Sequence, residues 1–137
     1  MRKKSGTGIR YNLPQGVLIG YKKVAAGRQR QRLIAVLEIP ADADAIKPIR
    51  NFNARISKCR ASKAKVLAFY EYDYLITRIL TKPAKTKTAR STRWASRDFQ
   101  YRLGRTAYPK YDFDQNCDKV CSSGIHFFMT AKKAITY

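Results

Sequence analysis

Val17-Leu18-Ile19-Gly20-Tyr21, and then Leu33-Ile34-Ala35-Val36-Leu37-Glu38-Ile39 ahead of Pro40, are the runs whose reading decides the fold. Both are short, rich in β-branched and aliphatic residues, and bounded by polar or turn-forming residues, which is the pattern of buried strands. Proline has no backbone N–H to give to a neighbouring strand, so Pro40 stops the second run. Between them lie Lys22-Lys23, expected to return the chain to solvent, and the polar Gly27-Arg28-Gln29-Arg30. A hairpin between the two runs is the simplest pairing.

Upstream, residues 1–12 are basic, contain Gly6 and Gly8 and show no apolar period, so they read as an arm that is loose until a partner holds it. Pro14 and Gly16 mark a turn. Downstream, residues 41–56 read as a loop with a helical turn, and Ser57 to Ala64 as a short helix. Lys65-Val66-Leu67-Ala68-Phe69-Tyr70-Glu71-Tyr72 has the aromatic content of a strand, and a second apolar run follows at Tyr74-Leu75-Ile76. Residues 81–93 hold no large apolar side chain and are expected to form an exposed basic loop that adds nothing to the core. Phe99-Gln100-Tyr101-Arg102-Leu103 alternates and ends at Gly104, residues 108–114 are turn-rich, and Gly124 to Phe128 is a last strand. Thr130 is a fitting N-cap for a short helix from Ala131 to Ile135. The expectation is one α+β domain over residues 13–137, a small antiparallel sheet with short helices, preceded by the arm.

The 137 residues and 45% hydrophobic content suit a single core. Lys and Arg number 29 against 9 Asp and Glu, a formal charge of +20, which repels itself unless anions surround it. Nine basic and no acidic residues fall in 1–32, and eight basic residues fall in 82–105 against Asp98 alone. The residues expected to meet an anionic partner are therefore Arg2, Lys3, Lys4 and Arg10 in the arm, Lys82, Lys85, Lys87, Arg90 and Arg93 in the loop, and Arg97, Arg102 and Arg105 beyond it. Arg93-Trp94, Phe99 and Tyr101-Arg102 interleave cations with rings, which suits phosphates and stacked bases as well as it suits a half-buried strand. Nothing in them resembles a sequence-reading motif, so nucleic-acid contact by this segment would be non-specific.

Catalysis and metal binding are not expected. The sequence has no Gly-rich phosphate loop, no H-E-x-x-H and no nucleophile elbow. His126, the sole histidine, lies between Ile125 and Phe127, where a core role is the commoner one, although it could be a base beside Cys121 or Asp118. Cys59, Cys117, Cys121 and His126 could supply a zinc ligand set, but the spacing lacks two close ligand pairs. The odd cysteine count fits reduced, buried thiols, and no cofactor is called for. No stretch approaches the roughly 18 apolar residues of a spanning helix, and no apolar run of a secretory signal follows Met1-Arg2-Lys3-Lys4.

Four segments together resemble a known family: L-P-Q-G-V-L-I-G-Y-K-K at 13–23, Ile39-Pro40-Ala41-Asp42-Ala43, K-C-R-A-S-K-A-K-V-L at 58–67 and C-S-S-G-I-H-F-F at 121–128. It is a domain of unknown function widespread in giant viruses and other large DNA viruses. The resemblance implies a viral context and a compact fold, and supplies no activity. With the charge, it gives the expectation of a non-catalytic structural protein: a basic minor capsid or internal virion protein, assembled in the host cytoplasm, whose partners are other virion or capsid proteins. The alternative is a non-specific binder of DNA or RNA in the infected cell.

Overall fold

The computed structural model describes residues 8–48, 58–73, 80–92, 99–117 and 122–137. Among them run β1 (Arg10–Tyr11), β2 (Leu18–Ala26), β3 (Gln31–Ile39), β4 (Ala45–Ile46), β5 (Cys59–Ala61) and β6 (Ala64–Tyr72). There follow β7 (Leu80–Pro83), β8 (Thr88–Ser91), β9 (Gln100–Arg102), β10 (Thr106–Ala107), β11 (Ile125–Phe127) and the six-residue helix α1 (Ala131–Thr136).

The hairpin forms as the sequence suggests but is longer, with Leu18 opposite Ile39 and Ala26 opposite Gln31. Gly27 and Arg30 take the left-handed backbone (φ 74° and 56°) that a tight reversal between twisted strands requires. Strand β2 continues through Lys22-Lys23 because the period of two places Lys22 on the inner face with Leu18, Gly20, Val24 and Ala26. Lys22 is accordingly buried, not returned to solvent, with its ammonium donating to the His126 carbonyl at 3.2 Å.

Around this hairpin the larger sheet is ordered β10-β6-β3-β2-β8-β9, with β7 on the far end of β6. Its edge strands β9 and β10 are joined by residues 103–105 alone. That turn is tied to both sides: the Leu103 N–H donates to the Lys87 carbonyl and the Gly104 N–H to Val66, each at 2.8 Å. The sheet therefore curls until its two edges meet, as a barrel does to protect unpaired edges. Inside lie Val24, Leu33, Leu37, Val66, Phe69 and Tyr101. Burial of aliphatic and aromatic side chains of this size contributes about 1.5–3 kcal/mol each.

A second sheet, β1-β4-β5-β11, packs against one end of the first. The contact is close at Gly20, where an added Cβ would stand 2.6 Å from the Phe127 ring. Helix α1 covers the outer face of the hairpin with Ala134 and Ile135 over Ile34 and Phe128. Thr130 caps it as the sequence suggests, its hydroxyl accepting from the Lys133 N–H at 3.3 Å.

The α+β expectation is thus corrected: the domain is mainly β, two sheets with one short helix among the described residues. Of the helix read over 57–64, the described residues 58–64 hold β5, a bend and the start of β6, since Cys59–Ala61 finds partners on both sides in β4 and β11; residue 57 lies outside the described residues. Tertiary pairing overrides a weak local preference there. The supposed loop 81–93 carries parts of β7 and β8, with Ala89 and Ser91 buried. The arm is docked from Gly8 onward, with Arg10–Tyr11 in parallel register with Ala45–Ile46; residues 1–7 and the run 74–76 lie outside the described residues.

Candidate functional site

Strands β8 and β9 pair with Thr88 opposite Arg102, Ala89 opposite Tyr101 and Arg90 opposite Gln100. Because side chains alternate, Ala89 and Tyr101 face the core while Thr88, Arg90, Gln100 and Arg102 form one outward polar face. Arg102 donates to the Gln100 amide oxygen at 3.2 Å, which holds the two side chains side by side. Two open clefts flank this face and meet at Gln100. One, about 460 Å³, is lined by Arg102, Arg105 and Tyr108; the other, about 260 Å³, by Arg28 and Arg90. No carboxylate lines either among the described residues. The result is a groove with four guanidinium groups, an amide, the Thr88 hydroxyl and one exposed ring, Tyr108, which is 60% accessible.

Guanidinium groups are planar, permanently charged and suited to paired contacts with phosphate or carboxylate oxygens. The groove can therefore follow an extended polyanion. Tyr101, on the core side of this strand pair, is buried, and desolvation raises its pKa.

Of the residues expected from sequence to bind a partner, Arg90, Arg102 and Arg105 line the groove. Lys82, Lys85 and Lys87 are exposed nearby in the chain, and Lys82 lies 4.0 Å from Glu71. Arg10 is not a surface residue: it is buried and donates to the carbonyls of Gly16 (2.8 Å) and Pro40 (2.7 Å), and desolvation lowers its pKa against the pull of Asp44 and Asp42. Arg2, Lys3, Lys4, Arg93 and Arg97 lie outside the described residues, as does Trp94. Of the rings expected to alternate with cations, Tyr101 is buried and Phe99 is half-buried at the wall of the larger cleft, and the two pack edge to face at 5.0 Å.

Arg28 was missed, although a basic G-R-Q-R turn between two apolar strands is a legible signal for an exposed cation. Arg60 could not be found from sequence. It is fully buried, and its guanidinium donates to the carbonyls of Asp114 (2.6 Å), Ser123 (2.9 Å) and Asn116 (2.9 Å), with the Phe113 ring 5.3 Å away. Lys58, also buried, donates to the Tyr137 hydroxyl at 2.9 Å. Arg60 thus holds loop backbone, and Lys58 holds the side chain of Tyr137.

The four residues considered for zinc are not arranged around one point as far as they are described. Cys59 pairs with Phe127 while Arg60 pairs with His126, so Cys59 and His126 project from opposite faces of the small sheet. Burial pushes the Cys59 thiol up to about 11, which favours the protonated form over the thiolate a metal needs. Cys117 is half-buried, and Cys121 and Asp118 are outside the described residues. Among the described residues no helix is long and apolar enough to cross a membrane.

A small β domain with a basic groove and an internally charged second sheet is the class these observations define. Residues 9–134 match the model of DUF5758, a family of unknown function, and the chain belongs to that family. It is similar to "Uncharacterized protein L223" of Acanthamoeba polyphaga mimivirus, 32% identical over 104 residues, which cover 76% of this chain and 61% of that protein. The chain thus aligns with under two thirds of its viral relative's length. No solved structure matches it.

Proposed function

We propose that the domain is a non-catalytic component of a large DNA virus that binds polyanion through the groove formed by Arg28, Arg90, Arg102 and Arg105, and that it acts in the virion as a minor capsid or internal protein. The observation that carries this is that the two clefts adjoining the outward face of β8 and β9 are lined by four arginines, Arg90 and Arg102 from that face and Arg28 and Arg105 from the turns beside it, without a carboxylate among the described lining residues. The polyanion favoured is nucleic-acid backbone, met without base reading, because the groove is open and extended and offers one exposed ring.

Docking on acidic neighbouring subunits is the second reading. It is supported by a separate observation: Val17, Ile19 and Leu67, near the start of the hairpin and on β6, are exposed apolar side chains that could pack against a neighbour. One experiment addresses each. Binding of a labelled duplex should weaken as salt rises, with a log–log slope of about −0.9 for each phosphate neutralised. Mass spectrometry of purified, nuclease-treated particles should find the chain at fixed stoichiometry. Salt-independent duplex binding would remove the groove's assignment, and absence from particles would remove the virion role.

A further inference from the structure

Strands β9 and β10 share a short turn and then part, because β9 pairs with β8 and β10 with β6. The larger cleft, about 460 Å³, is lined from both strands, and its wall holds two unlike kinds of surface. Arg102 and Arg105 bring exposed guanidinium groups, while Phe99, Ala107 and Tyr108 bring apolar area. Phe99 is half-buried and set edge to face against Tyr101, but Tyr108, directly after β10, keeps 60% of its surface open. Tyr111, three residues further along the chain, is exposed too, with the Lys110 ammonium 5.6 Å from its ring centre. The smaller cleft differs: it has Arg28 and Arg90 but no aromatic residue among its described lining residues.

Phosphate contact alone accounts for the smaller cleft but leaves the open ring of the larger one unused. A nucleobase has a flat face that stacks on a tyrosine ring, and the phosphates on either side of it reach cations beside that ring. In a duplex those faces are covered by neighbouring bases, so a protein meets edges and phosphates unless a base is pulled from the stack. In a single strand the faces are open. The larger cleft falls within the roughly 300–1,000 Å³ of small-ligand sites, which is room for one base with its sugar.

We infer that the groove takes single-stranded nucleic acid, with one unpaired base stacked on Tyr108 and the adjoining phosphates on Arg102 and Arg105. This assignment rests on the groove being a polyanion site, as proposed above, and narrows the polyanion to one class. Every base offers such a face, so the strand is held without regard to its sequence.

The test is fluorescence anisotropy of the full chain with a labelled oligothymidylate, which does not pair with itself, and with a labelled duplex of equal length at the same salt. The single strand should bind more tightly, by about tenfold. Tyr108→Ala should cancel that margin by weakening the single strand about tenfold, whereas Tyr108→Phe, which keeps the ring, should retain it. Arg102→Gln/Arg105→Gln should weaken both ligands, since both carry phosphates. Circular dichroism checks that each variant is folded. A duplex bound as tightly as the single strand, equal loss of both ligands in Tyr108→Ala, or a loss in Tyr108→Phe as large as in Tyr108→Ala would overturn the single-strand assignment and leave the groove a site for phosphate backbone. Binding of neither ligand would remove the groove's own assignment with it.

Discussion

Arg60 and Arg102 carry the same guanidinium and do opposite work. Arg60, in the small sheet, is sealed from solvent and spends its donors on the carbonyls of residues 114, 116 and 123. Arg102, on the outer face of β9, is exposed and makes one weak contact with Gln100. The charge total therefore overstates what is offered to partners, since Arg10, Lys22, Lys58 and Arg60 are all buried. A buried cation is tolerable where it donates to several backbone acceptors, and an exposed one keeps its hydration until a ligand arrives.

The largest separation between the two should come from Arg60→Met. It removes three part-buried hydrogen bonds to a charged group, each worth about 1.5–3 kcal/mol, so a loss of about 3 kcal/mol or more is expected. Thermal denaturation should show a fall in midpoint on the order of 10 °C. A midpoint close to that of the unaltered chain would mean that the loop over Arg60 stands without it. Arg60→Lys should recover little, because a single ammonium cannot span the three carbonyls.

Gly20→Val probes where the small sheet meets the large one. With an added Cβ 2.6 Å from the Phe127 ring, overpacking should cost about 1–3 kcal/mol in urea unfolding. A neutral result would show that the ring can retreat and that the two sheets are not tightly coupled.

Cys59 distinguishes the interior by pH. Its thiol is raised in the fold from 9.0 to about 11, chiefly by desolvation. The protonated thiol therefore favours the folded state fully below pH 9, and that contribution is lost as pH rises toward 11. Unfolding should become easier across that window, and Cys59→Ala should flatten the dependence. At pH 8 native Cys59 should react with iodoacetamide only on unfolding; rapid labelling would contradict its burial.

The smallest effect on stability belongs to the outer face. Arg102→Gln/Arg105→Gln should change stability by no more than about 0.5 kcal/mol. If each arginine neutralises one phosphate, the same pair should reduce the salt slope of duplex binding by about 2. A large loss of stability with an unchanged slope would reverse the roles assigned to the two classes of arginine.

Much of the core was legible. Val17 to Tyr21 and Leu33 to Ile39 announced the hairpin, Lys65 to Tyr72 its neighbour β6, and Gly104 and Thr130 the end of β9 and the start of α1, because apolar period, φ > 0 and capping are local properties. The groove was half legible: Arg90, Arg102 and Arg105 stood out by charge, while Arg28 was overlooked in its turn. Lys58-Cys59-Arg60-Ala61 read as helix because its four residues carry no period of two, and none was needed where the strand is buried on both faces.

The sequence by itself determined that strands would form around an apolar hairpin, that one core would hold them, and that an excess of positive charge would need anions. Tertiary structure decided which cations those are. Whether a lysine or arginine lines a groove or is enclosed depends on what a distant strand or loop lays over it. Arg60 and its acceptors lie 54 to 63 residues apart in the chain, a separation that no local pattern records.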